Sequence, residues 1–130
     1  RDLHIKEAGR ITRSMDSWIS QYQQIKSGPS FMISGYINKE LVTSGIFICN
    51  KNYCYYGVSA SRRDLFEKPL FHAVLWKAII NAKTKQMKLF ETGAEYINTP
   101  LKENFTEKES NIGYFKSGFG GRLYQELVIS

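Results

Sequence analysis

No run of apolar residues in this chain is long enough to cross a bilayer, and no secretory leader is visible at its start. Cysteine is scarce: Cys49 and Cys54 are the two present, on either side of an expected hairpin turn where they could face one another. A pair this sparse argues for free thiols in a cytoplasmic protein rather than a disulfide scaffold. The chain has no internal repeat and no low-complexity segment. It also lacks a metal-ligand cluster and any Ser/His/Asp or Cys/His arrangement that would mark a nucleophile. Nor does a basic run alternate with stacking aromatics, which weighs against a general RNA-binding domain.

Apolar and aromatic content is ample, at 42% and 14% of 130 residues, and describes a folded chain with a real core. That length fits one domain spanning 1–130. The first residue is Arg1 rather than Met, so the expectation is a piece excised from a longer protein. Eighteen basic against twelve acidic side chains give a formal charge of +6. Such a balance favours anionic partners, among them phosphates, a nucleotide cofactor, RNA or acidic lipid; a solvated lysine surface without a partner is the alternative.

The stretch 53–93 organises the rest. Tyr53, Tyr55, Tyr56 and Val58 suit a strand over 53–59, after which Ser61-Arg62-Arg63-Asp64 breaks the pattern. Pro69 can open a helix that runs to about Lys85, because its missing N–H would be unpaired in the first turn. Its apolar face carries Phe71, Leu75, Ala78, Ile79 and Ala82, and Trp76 and Ile80 widen it enough to meet a second domain. Alternation resumes over 87–91, with Gly93 as the stop. Strand, helix, strand in this order is a right-handed crossover joining two parallel strands.

Before it, a helix over 3–8 ends at Gly9, and Ser14 caps a second helix that stops at Gly28-Pro29. Arg10 and Arg13 lie in the connector, within reach of an anion or simply in solvent. Strands over 31–37 and 41–49, with turns at 38–40 and 50–52, make an antiparallel meander with the strand from Tyr53. Gly45 and Gly57 inside strand patterns point to a bulge or a close approach. The polar stretch 94–110 reads as a loop, followed by a closing run over 111–121 and a strand over 123–129.

In a sheet with a parallel crossover, ligands sit beyond the carboxyl ends of the strands near the helix N-terminus, here 59–68 and 91–93. Arg62 and Arg63 are placed to hold phosphates there. His72, one turn before Trp76, is either a hydrogen-bonded packing residue or a ligand contact.

The closing run Phe115-Lys116-Ser117-Gly118-Phe119-Gly120-Gly121 resembles the F-K-x-G-F-G-G pattern near the end of FemAB-like proteins, members of the broader GNAT acyltransferase fold. Tyr55-Tyr56-Gly57-Val58-Ser59-Ala60-Ser61, the Trp76-bearing helix, and Gly9-Arg10-Ile11-Thr12-Arg13-Ser14 followed by Trp18 are similar to that family in the same order. The resemblance implies an α+β GNAT-like fold: a mixed sheet, an antiparallel meander plus a parallel crossover pair, with helices on both faces. It implies N-acyl or aminoacyl transfer to an amine, in cell-wall or surface-polymer synthesis, with acyl-CoA or aminoacyl-tRNA as donor and no permanently bound cofactor or metal, and, since FemAB-like enzymes join two such domains, a two-domain parent protein.

Carried onto this chain, the resemblance makes Lys116 the functional cation, with Phe115 shaping its surroundings, and makes Tyr114 either the group that protonates the leaving group or a half-buried packing residue. Glu91 is either a base or a surface carboxylate, and Ser61, Arg62, Arg63 and His72 border the donor. One departure stands out. CoA-dependent members carry a Q/R-x-x-G-x-G/A loop before this helix, and here 61–68 has no glycine, which argues against the usual pyrophosphate mode. A non-catalytic binding or docking domain of the same fold is the alternative.

Overall fold

The meander forms where alternation and turn residues place it. A computed structural model describes residues 1–93 and 105–124, which fall into two compact units, Arg1–Glu91 and Thr92–Ser130. In the first, α1 (Asp2–Ala8) and α2 (Met15–Ser27) precede β1 (Phe31–Ile37), β2 (Glu40–Asn50) and β3 (Tyr53–Ser61). A short 3-10 turn, Arg63–Leu65, leads to α3 (Leu70–Thr84) and β4 (Leu89–Glu91). The second unit contains α4 (Glu107–Ser117).

The four strands form one mixed sheet in the order β1-β2-β3-β4. β1 and β2 are antiparallel, joined by a tight turn in which Asn38 and Lys39 both have positive φ, the geometry that matches strand twist in two-residue hairpins. β2 and β3 are antiparallel too, and their register slips between Phe47↔Tyr56 and Ile46↔Val58, so Gly57 is the bulged residue. β3 and β4 are parallel. α3 connects them and packs on β1, β2 and β3, while α1 lies against β3 and α2 against β2. The α+β architecture, the meander and the parallel crossover pair are therefore as expected.

Phe47 is fully buried at the centre, its ring against those of Phe31, Tyr56 and Phe90. Gly45 is the close approach: a Cβ there would lie 3.0 Å from ring atoms of both Phe47 and Phe71, so α3 itself needs the missing side chain. Cys49 and Cys54 are register partners, both free and both buried. Burial pushes the Cys54 thiol up, and its hydrogen bond with Cys49 adds to this.

Several boundaries differ from the sequence-based expectation. Pro69 is the N-cap rather than the first helical residue, and α3 turns Val74, Leu75, Ala78 and Ala82 inward, with Phe71 and Ile79 half-buried. Trp76 and Ile80 lie outward. β4 starts two residues later than expected, because the Met87 N–H donates to the Ala82 carbonyl and the Lys88 N–H to that of Asn52. These bonds close α3 and hold the β2–β3 turn before the ladder begins.

The stretch 94–110 is not loop throughout, since α4 already starts at Glu107. Thr106 caps it in a reciprocal arrangement with Glu109, a capping box. Residues 94–104 lie outside the described residues. Of the strand expected over 123–129, Leu123 and Tyr124 are not in a strand and the remainder is outside the described residues. Among the described residues no helix is long and apolar enough to cross a membrane.

Candidate functional site

Parallel pairing runs from Tyr53↔Leu89 through Cys54↔Phe90 to Tyr55↔Glu91 and stops there, while β3 continues to Ser61. Among the described residues none pairs with 56–61 on the β4 side of the strand. An unpaired strand edge presents N–H and C=O groups to whatever can complete the ladder. Tyr56 lies at the start of this edge, its ring 5.2 Å from that of Phe71 and its hydroxyl bonded to the Ser59 hydroxyl. Burial pushes the Tyr56 phenol up; the Ser59 bond works against that shift.

The two regions singled out for ligand binding lie at opposite ends of this edge. Glu91 is level with Tyr55, six residues before Ser61, a separation of roughly 20 Å along a strand at about 3.3 Å per residue. The Glu91 carboxylate accepts a hydrogen bond from the Tyr53 hydroxyl. At the far end, the Ser61 and Thr43 hydroxyls share a hydrogen bond of 2.7 Å.

Arg62 is already engaged. Its guanidinium donates from Nε and Nη2 to both carboxylate oxygens of Asp64, and from Nη1 to Glu40 Oε2 at 2.9 Å. Two carboxylates around one cation leave a local charge of −1. The bidentate contact with Asp64 raises the Arg62 pKa, and the same hydrogen bonds hold the Asp64 carboxyl below its usual range. This triad fastens the end of β3 to the β1–β2 turn. Glu7 of α1 fastens it from another side, accepting from the Arg63 N–H at 2.9 Å. The Arg63 side chain and His72 are exposed.

In the second unit, Lys116 occupies the last turn of α4. A Cβ on Gly93 would sit 2.8 Å from its Nζ, and Gly93 has φ +90°. The ammonium thus lies beside Gly93 within this second unit. Phe115 meets Phe119 edge to face, with ring centroids 5.3 Å apart, so the residues on either side of Lys116 and Gly118 pack together locally. Tyr114 is 83% exposed, and its carbonyl accepts from the Ser117 hydroxyl.

Sequence reasoning missed the carboxylate partners of Arg62, the Tyr56–Ser59 bond and the start of α4. The last had a readable signal in Thr106-Glu107-Lys108-Glu109, the T-x-x-E pattern of a capping box.

No family model matches the chain, and no curated protein matches it. Two solved structures are similar to it, both of variants of the BH1408 protein from Bacillus halodurans. The first, a point mutant, is 12% identical with a TM-score of 0.63, over 99% of this chain and 84% of that one. The second, a tetramutant, is 13% identical with a TM-score of 0.62, over 99% and 85%. At these identities the likeness carries the fold alone: an α+β protein built on a four-stranded mixed sheet.

Proposed function

We propose that this chain is an acyltransferase domain of GNAT-like, FemAB-like fold, which transfers an acyl or aminoacyl group to an amine. The observation that carries this reading is the early end of β4, which leaves the edge of β3 from 56 to 61 without a partner among the described residues. An acyl donor with amide groups, such as acyl-CoA, can complete that ladder; the acyl end of an aminoacyl-tRNA is the other donor of the right class. Either donor belongs to the cytoplasm.

In this reading the acceptor amine attacks the donor carbonyl, and Lys116 stabilises the oxyanion that develops. Tyr114 protonates the leaving thiolate or alkoxide, and the proton released by the amine passes to water. Trp76 and Ile80 dock on another domain of the full-length protein. Mixing the chain with acyl-CoA or charged tRNA and a cell-wall nucleotide precursor bearing an amine tests the reading. It expects transfer from one of the donors, slowed about 100-fold by Lys116→Ala. Absence of transfer from both would contradict it.

A second reading, a binding or docking domain without turnover, is supported by the neutralised Arg62 and by the absence of glycine from 61–68. It predicts saturable binding of a donor or precursor with no product.

A further inference from the structure

At the opposite edge of the sheet from the parallel pair, a cavity of 540 Å³ opens between β1 and the first half of α3. Its origin is traceable to the sequence. The β1–β2 register slips after Gly35, where Val42 is an extra residue on β2 with no partner on β1, a bulge that bends β2 at this point. Gly35 contributes no side chain, and Thr43 leaves no room for one: a Cβ on Gly35 would lie 2.7 Å from the Thr43 methyl. On the helix side Ala73 is small and exposed. A strand bend facing two minimal side chains leaves the space open.

The lining is divided by polarity. Val42 and Val74 are buried at the floor, with Ile33, Ile37 and Leu70 half-buried around them. Among the described residues the charged lining residues are Lys68 and Lys77, both exposed, and no carboxylate lines the cavity. Lys77 is one helical turn beyond Ala73, so its stem runs along the same side of α3. An apolar floor under two cations is complementary to a molecule with an apolar body and one anionic head, and the volume lies within the range of small-molecule sites.

We propose that this cavity binds an amphipathic carboxylate, its hydrocarbon body on Val42 and Val74 and its carboxylate between Lys68 and Lys77. The site is separate from the β3 edge and does not depend on transfer chemistry.

Octanoate, octanol and octylamine are the probes, titrated into the 130-residue chain with amide NMR shifts as the readout. Octanoate should bind saturably and shift Gly35, Thr43 and Ala73. Octanol and octylamine should bind roughly tenfold more weakly or worse. Lys68→Ala with Lys77→Ala should weaken octanoate by about tenfold while leaving octanol unchanged. Ala73→Leu, a helix-compatible change at an exposed position, should abolish binding of octanoate with the far-UV CD spectrum intact. The proposal is overturned if octylamine binds as well as octanoate, if the double lysine variant binds octanoate normally, or if none of the three residues shifts.

Discussion

Lys116 Nζ lies 2.8 Å from the point a Cβ on Gly93 would occupy, so the residue type at 93 decides where this ammonium can rest. Gly93→Ala therefore meets one main penalty, the side chain's conflict with φ +90°, because the atom it would strike is the flexible end of a lysine that can move aside. A destabilisation of about 1–2 kcal/mol in urea is expected. It should persist in a Lys116→Ala background, because the backbone penalty does not depend on the lysine. Loss of the effect in that background would show that the lysine, and not the backbone, sets the cost.

The Arg62 triad has a pH signature. Asp64 has a depressed carboxyl pKa in the folded chain, so its contribution is complete at neutral pH. That contribution is lost as pH falls from roughly 4, the usual carboxylate value, through the lower folded value. Urea midpoints of wild type and Asp64→Asn should differ at neutral pH and converge as the pH falls below the folded-state value. A gap that stays constant with pH would mean that Asp64 does not act through its charge.

Cys49 and Cys54 are buried and free, with the Cys54 thiol pushed up by burial. Since the thiolate is the reactive form, neither cysteine should react with a thiol reagent in the folded chain at neutral pH, and both should react in denaturant. Rapid stoichiometric labelling of the native protein would contradict the burial of this pair.

The Thr106–Glu109 capping box stabilises the helix that carries Lys116. Thr106→Ala should cost about 1 kcal/mol, and Thr106→Ser should recover most of it. Equal stability of all three chains would show that the cap contributes nothing to α4.

What was legible in the sequence was local. β1, β2 and β3 announced themselves by aromatic and β-branched alternation between Asn-Lys turns, and α3 by its apolar face. Gly57 and Gly45 were readable as a bulge and a close approach, although Phe71 as the approaching ring was not. Long-range partnerships left no trace in the pattern. Glu40 reaches Arg62 across 22 positions, so a residue that reads as a free cation in the chain is neutralised in the fold. β4 came out shorter because its first residues serve turns and caps, a competition that alternation cannot reveal. The start of α4 was hidden inside a polar stretch whose composition suggests a loop, although its capping box was there to be read.

Amide hydrogen exchange along β3, with and without a donor, tests the central claim most directly. If an acyl donor completes the ladder, those amides within 56–61 that do not bond to β2 exchange fast in the free chain and gain protection with acyl-CoA or charged tRNA, while the amides bonded to β2 and those of 53–55, already level with β4, stay as they were. Unchanged exchange over 56–61 with both donors at saturating concentration would contradict the account.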